Sequence, residues 1–321
     1  MTLNTEMRVR VADIKQIADQ VKRFRFERVD GGAMPVFSGG AHVVVAMRDG
    51  NVLRRNPYSL MSSPTDTSGY EISVLRVTTS RGGSHFLHDK LKRGDEVTLS
   101  QPVNLFPIDQ RSSKHLLLAG GIGITPFMAM MDQLQQAGQD FELHYAVRTR
   151  EHGAYWQQLQ ARYGEKRVKI YCDAEQLFIP TEALLANQAL GTHLYVCGPA
   201  GMIKGVLGQA KTLGWPAQNL HSEEFLAPPP GKPFQVKLSK SKRTIDVHSH
   251  QSILEAIEAA GIDAPYLCRG GACGQCETQV QSCGGSIEHH DHYLEPDEKA
   301  AGRKIMICVS RVAGSNITLD L

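Results

Sequence analysis

Four cysteines carry the most specific chemical signal in this chain. Four residues separate Cys268 from Cys273, two separate Cys273 from Cys276, and 31 separate Cys276 from Cys308. Four thiolates at that spacing are what a plant-type 2Fe–2S cluster requires. The intervening Gly270, Gly271, Ala272 and Gly274 let the backbone fold tightly and turn amide N–H groups toward the sulfurs. A structural zinc site is the alternative, because four cysteines also make a tetrahedral cage. Zinc ribbons favour two Cys-x2-Cys knuckles, however, and this chain has one. Cys283 lies outside the pattern and reads as a spare small residue. His289, His290 and His292 stand beside Asp291, but adjacent side chains on a loop point in different directions. With no open-site iron triad spelled out, this segment reads as a solvated loop.

A second constellation lies near the start. Pro57, Tyr58, Ser59 and Leu60 run into Met61, Ser62, Ser63 and Pro64, and Arg81, Gly82, Gly83 and Ser84 follow. Each alone is an ordinary strand end or turn. Together they supply an aromatic ring, hydroxyls, a cation and free backbone amides, the groups that hold an isoalloxazine and a phosphate. A third lies at Gly120, Gly121, Ile122, Gly123, Ile124, Thr125 and Pro126, directly after the apolar stretch 115–119. Thr125 suits a helix N-cap and Pro126 the first helical position. Such a turn exposes a helix N-terminus on which a pyrophosphate can sit. It departs from the common dinucleotide fingerprint, since Pro126 occupies the third glycine position. Cys197, Gly198 and Pro199 end a later strand, at the carboxyl edge where α/β sheets bind ligands.

The elements that must position these groups fall into a multi-domain plan, as 321 residues already suggest. Residues 1–110 read as short alternating strands, such as 43–47 and 70–77, broken by Gly, Pro or Asn; this predicts an antiparallel β-barrel. From residue 111 to 226, apolar strands at 115–119, 141–147, 168–172 and 193–197 alternate with helical stretches, which predicts an α/β parallel sheet. The four prolines and one glycine of 227–233 forbid helix or central strand, and 227–234 reads as a linker. The last segment, 235–321, opens with strands 234–238 and 244–247 and a helix over 252–260. Ser252 and Glu255 are spaced as its capping box and Gly261 as its stop.

Composition narrows the function classes. Hydrophobic residues at 41% and charged residues at 21% are ordinary for a water-soluble globular chain and disfavour disorder, collagen and coiled coil. Thirty-five basic against 33 acidic residues leave a net charge of +2, with no basic run to track a phosphate backbone, so nucleic acid is a poor partner. The longest stretch free of both charged residues and histidine, 116–131, has 16 residues, short of the ~20 a bilayer needs, so no membrane partner is expected. The first residues lack an apolar signal-peptide core, which makes the cytoplasm the expected compartment. Seven cysteines in such a chain point to metal or redox chemistry.

In the order of these motifs the chain resembles the phthalate dioxygenase reductase-type family over essentially its whole length, most closely the reductase components of carnitine monooxygenase and vanillate demethylase. The resemblance implies an FMN-binding barrel at 1–110, an NAD-binding domain at 111–226, and a β-grasp-like plant-type ferredoxin domain at 235–321. It implies FMN, a 2Fe–2S cluster and NADH as cofactors, and a Rieske-type terminal oxygenase as partner. Carried over residue by residue, it puts Tyr58 and Ser59 at the flavin ring, with Ser59 near N5, and Arg81, Gly82, Gly83 and Ser84 at the FMN phosphate. Thr125 falls on the flavin side of the glycine turn. Gly121, Gly123, Cys197, Gly198 and Pro199 line the nicotinamide nucleotide, Ser59 and Cys197 hold the two rings face to face, and Glu224 with Phe225 close the flavin pocket. Cys268, Cys273, Cys276 and Cys308 are the cluster ligands. The commoner motif Arg-x-Tyr-Ser is altered here, because Asn56 stands two before Tyr58; this leaves open whether Arg55 or Arg76 is the cation nearest the flavin.

Nicotinamide gives up two electrons as a hydride whereas a 2Fe–2S cluster accepts one, so the expected activity is an NADH-dependent flavin/iron–sulfur oxidoreductase in which FMN splits the pair. Two readings compete with it: a reductase serving a haem monooxygenase, and an iron–sulfur redox sensor, which would need a DNA-binding or signalling module. A self-sufficient oxygenase lacks support, since no Rieske Cys-x-His motif is present. Arg148 and Arg150 alone would favour NADPH, but Glu151 and Asp173 adjoin them, and NADH is expected.

Overall fold

The computed structural model describes residues 6–50, 52–226 and 230–321. Ala227, Pro228 and Pro229 of the expected linker lie outside them.

The first sheet is antiparallel. Its strands are β1 (Met7–Ala18), β2 (Val21–Arg28), β3 (Ala41–Asp49), β4 (Val52–Ser59), β5 (Tyr70–Leu75), β6 (Glu96–Leu99) and β7 (Val103–Asn104). They run in the order β4-β3-β6-β1-β2-β5, with β7 on β3. The alternation of Val9, Val11, Phe24, Phe26, Val43 and Val45 with more exposed neighbours gives one apolar face, and a strand's period of two curls that face inward as a core. The two ends of the sheet approach each other where Met61 N–H donates to Glu71 O at 2.8 Å.

The second sheet is wholly parallel: β8 (Lys114–Gly120), β9 (Phe141–Val147), β10 (Val168–Cys172), β11 (Thr192–Cys197) and β12 (Leu220–Glu223), in the order β10-β9-β8-β11-β12. Helices Thr125–Gln136, Trp156–Tyr163, Thr181–Ala186 and Ala200–Thr212 connect them. Leu116, Leu117 and Leu118 are all buried, the continuous run expected of a strand covered on both faces. β12 escapes the sequence pattern because its four residues carry His, Ser and Glu. Below its amino edge, His193 Nδ1 and His221 Nε2 stand 3.0 Å apart, stacked with Tyr195.

Burial lowers the affinity of both imidazoles for protons. The folded state therefore binds fewer protons than the unfolded one below the ordinary value of 6.5, and stability falls as pH drops through that window. Thermal melts at pH 7.5 and 5.5 should show this loss, and His221→Phe should shrink it by about 2–4 °C.

The third sheet is mixed: β13 (Phe234–Leu238), β14 (Arg243–Val247), β15 (Glu277–Glu288), β16 (Lys304–Met306) and β17 (Arg311–Leu319), in the order β14-β13-β17-β15-β16. The helix Ile253–Ala259 packs its apolar side on this sheet. Ser252 caps it, with both hydrogen bonds of the box to Glu255 in place. The sequence pattern missed Arg311, whose side chain is fully buried. Its guanidinium donates to the carbonyls of Lys232 at 2.9 Å, His248 at 3.3 Å and Gln251. Three carbonyls of one site compensate the buried charge and pin the end of the linker. No helix among the described residues is long and apolar enough to cross a membrane.

Candidate functional site

The cysteine loop leaves the helix Ile253–Ala259 and runs into β15, and Cys308 follows just after β16. Cys268, Cys276 and Cys308 are buried and Cys273 is half-buried. Cys276 and Cys308 bring their sulfurs to 3.2 Å, and Cys268 hydrogen-bonds with Cys273 and Cys308, so the four converge. Gly270 N–H donates to Cys268 Sγ at 3.3 Å. The Cys273 and Cys308 thiols, then the Ala272 and Gly270 amides, pull the Cys268 thiol below its usual range, and the same sulfur contacts push Cys273 and Cys308 up, so Cys268 is the sulfur that carries the negative charge. Among the described residues no three His, Cys, Asp or Glu side chains are arranged around a single ion; a two-iron cluster asks for two pairs of sulfurs rather than four around one point. A largely buried set of four cysteine sulfurs with the Gly270 amide aimed at it fits such a cluster.

The loop 289–292 corrects one expectation. Asp291 is buried, accepts from Leu294 N–H at 2.9 Å and from Ser310 Oγ at 3.3 Å, and stands 3.5 Å from Lys299 Nζ. His292 N–H donates to Gly271 O at 3.1 Å. The segment is therefore not a solvated loop but a brace folded onto the cysteine loop, held there because a buried carboxylate must be fully paired.

In the barrel, β3 and β4 pair His42 with Ser59 and Val43 with Tyr58. Ser59 is buried, and Tyr58 hydrogen-bonds with Asn56; burial pushes its phenol up. Beyond lies the short helical turn Gly83–His85. Arg54 packs across Gly82 and donates its Nε–H to Arg81 O at 3.0 Å, and Asn56 packs across Gly83, where a Cβ would come within 2.5 Å of its amide. Ser84 Oγ accepts from Val77 N–H at 3.3 Å. The Nη1 atoms of Arg54 and Arg81 are buried without a hydrogen-bond partner. Two guanidinium nitrogens that make no hydrogen bond, with only Asp49 at 3.8 Å and Glu255 at 4.0 Å as more distant carboxylates, stand beside the turn 82–84 and fit a phosphate, because each unpaired donor carries a desolvation cost that an anion removes. Arg54 was missed in the sequence. Arg55 turns instead to Glu258 at 3.2 Å, and Arg76 to Asp89 at 2.9 Å.

The glycine turn differs from expectation in one respect. Residues Gly121–Ile124 form a 3-10 turn that runs directly into the helix Thr125–Gln136. Thr125 is thus helical and not the N-cap; its hydroxyl donates back to Ile122 O at 3.0 Å. Pro126 stays in the first turn, where its missing N–H costs nothing. Gly123 is required by close approach, since a Cβ there would stand 2.3 Å from Cys197 O and 2.8 Å from Gly198 N. Tyr145 Oη donates to Gly121 O at 3.1 Å and fixes the turn.

Cys197 is fully buried, and burial first, then Glu223 and Glu224, push its thiol up. Its register partner on β12 is Glu223, whose Oε2 is buried without a hydrogen-bond partner. Burial pushes that carboxyl up to about 8. Nothing in the sequence separates Glu223 from Glu224; only the register of β12 does. Glu224 points to His292 at 3.4 Å, and Phe225 beside it is exposed. Pro199, the residue before the helix Ala200–Thr212, closes this edge with Gly198.

The chain matches two known domain families: "Dimethylamine monooxygenase subunit DmmA-like, N-terminal domain" over residues 98–220, and "2Fe-2S iron-sulfur cluster binding domain" over residues 236–313. It is 44% identical to the carnitine monooxygenase reductase subunit of Acinetobacter pittii, covering 96% of this chain and 100% of that one. It is 43% identical to the heme-dependent oxidative N-demethylase beta subunit of Ectopseudomonas mendocina, covering 99% and 100%. The solved structure of phthalate dioxygenase reductase, described as modular for electron transfer from pyridine nucleotides to 2Fe–2S, superposes with a TM-score of 0.90 at 33% identity, covering 99% of this chain and 98% of that one. With that similarity running from end to end, the chain belongs to the phthalate dioxygenase reductase-type family of oxygenase reductase components.

Proposed function

We propose that this oxidoreductase takes electrons from NADH, passes them through FMN to a 2Fe–2S cluster on Cys268, Cys273, Cys276 and Cys308, and delivers them to a Rieske-type terminal oxygenase. What supports this reading is the approach of the cysteine loop to the strand that carries Tyr58 and to the chain leaving the parallel sheet. The ring of Pro57, one residue before Tyr58, lies 3.9 Å from where a Cβ on Gly270 would stand, and Gly271 packs on Leu226, just beyond the end of the parallel sheet. FMN, when bound, supplies the conversion between a two-electron and a one-electron carrier.

The chain's own residues bind, orient and cover. Arg54, Arg81 and the amides of residues 83 and 84 hold the flavin phosphate, and Tyr58 and Ser59 flank its ring. Gly121, Gly123, Gly198 and Pro199 leave room for the nicotinamide nucleotide at the carboxyl edge of the sheet, with Thr125 between the two. Burial keeps Cys197 a thiol and Glu223 protonated at neutral pH, so neither places a negative charge beside the ring. Glu224 and Phe225 close the pocket from the side of the iron–sulfur domain.

Coenzyme choice follows from pairing. Arg150 is bidentate to Glu175 at 2.8 Å, which leaves Arg148, exposed, on the adenosine side. Denatured protein should release FMN and not FAD, and kcat/KM should favour NADH; a preference above about tenfold for NADPH, ~1.4 kcal/mol, would overturn the coenzyme assignment.

A second reading, delivery to a haem monooxygenase, is favoured by the 43% identity to a heme-dependent demethylase subunit. Mixing NADH-reduced protein with a Rieske oxygenase and with a haem demethylase decides between them by which acceptor is reduced faster.

A further inference from the structure

The barrel and the iron–sulfur domain meet across a clasp of charged side chains. Arg55, on β4, brings Nη1 to Glu258 Oε2 at 3.2 Å. The same carboxylate accepts both Nη groups of Arg269, one of them at 3.0 Å. Arg269 is the next residue after the cluster ligand Cys268. The three side chains are largely covered, at 21%, 16% and 4% exposure for Arg55, Glu258 and Arg269. Arg269 also lies 3.9 Å over the ring of Tyr266. Its backbone is left-handed, with φ 53°, a conformation a side-chain-bearing residue keeps only when its surroundings hold it there. One turn earlier on the same helix, Glu255 accepts from Arg55 N–H at 3.4 Å and stands 4.0 Å from Arg81. One face of the helix Ile253–Ala259 thus presents two carboxylates to two arginines of the barrel.

We propose that Glu258 is the residue that positions the cluster against the flavin: one carboxylate ties the flavin strand, through Arg55, to the backbone beside Cys268, through Arg269. This rests on the reading above that electrons cross from flavin to cluster. Glu258 touches neither group, so it acts through its two arginines. Removing its charge leaves two covered guanidinium groups without a counter-charge, which is far costlier than losing an exposed pair. Both the docking of the domains and the left-handed turn at Arg269 then relax.

The test is anaerobic stopped-flow reduction of the holoprotein by NADH, following flavin and cluster absorption separately. In Glu258→Gln, flavin reduction should stay within about twofold of the parent, while transfer from flavin to cluster slows by at least about tenfold. Glu258→Asp, which keeps the charge, should recover most of that rate. Arg55→Met should slow the same transfer step, and the double variant should be no slower than the slower single one, because Glu258→Gln already removes the contact that Arg55→Met removes. Arg55→Met leaves the Glu258–Arg269 pair intact, so it carries the test if Glu258→Gln fails to assemble a cluster. Transfer within about twofold of the parent in both Glu258→Gln and Arg55→Met, with flavin and cluster present, would overturn the clasp. A parent protein that reduces its flavin and never its cluster would instead overturn the functional reading, and the clasp with it.

Discussion

Replacing Cys273 with serine should strip the iron from the protein while leaving NADH-driven reduction of an artificial dye within about twofold of the parent. Three of the four sulfurs are buried, with Cys308 touching both Cys268 and Cys276, so the loss of one ligand leaves a set that three cysteines cannot complete around two irons. Delivery to an oxygenase should then fall by at least about a hundredfold. The dye reaction should survive because the proposed nicotinamide and flavin sites draw on the first two sheets, whose cores share no residue with that of the third. Cys283→Ser should change little, since Cys283 sits in the β15–β17 ladder opposite Ile317, away from the loop. Iron content by inductively coupled plasma spectrometry checks both. A Cys283→Ser protein without iron, together with a Cys308→Ser protein that keeps it, would refute the ligand set.

The second large effect is expected at Gly123. An alanine Cβ there meets backbone, Cys197 O at 2.3 Å and Gly198 N at 2.8 Å, and backbone cannot rotate aside as a side-chain tip can. The turn after β8 must move away from the end of β11, at a cost of about 1–3 kcal/mol or more. Both halves of the proposed nicotinamide site would shift with it, so kcat/KM for NADH should drop by at least about a hundredfold. Gly201→Ala is the control: nothing lies within 4 Å of a Cβ there, and inside a helix alanine is favoured over glycine. Its kcat/KM should match the parent within about twofold.

The parts legible in the sequence are those with a strong period or a fixed spacing. The strands Phe141–Val147, Val168–Cys172 and Phe234–Leu238 coincide with the expected ones to the residue, because buried apolar side chains, in a near-continuous run or alternating with polar ones, end abruptly at polar turns. The capping box of Ser252 and Glu255 was equally readable, since its chemistry is local. What escaped depends on partners distant in sequence. Arg54 looks like any charged strand residue until Gly82 folds against it. The buried Arg311 needs the carbonyls of Lys232, His248 and Gln251 before its burial makes sense. Asp291 reads as a loop residue until Ser310 and Lys299 close around it. Thr125 was misassigned for a different reason: glycine turns before helices usually end in a cap, and here the 3-10 turn supplies helical geometry one residue early.

The central claim, that electrons from NADH reach a 2Fe–2S cluster through a flavin within this single chain, has one direct test. Holoprotein reduced anaerobically with NADH alone, frozen and examined by electron paramagnetic resonance, should show the rhombic signal of a reduced plant-type cluster, and Arg54→Met protein depleted of FMN should not show it until flavin is restored. A silent spectrum from NADH-reduced protein that holds both flavin and iron, or a site filled with zinc, would contradict it.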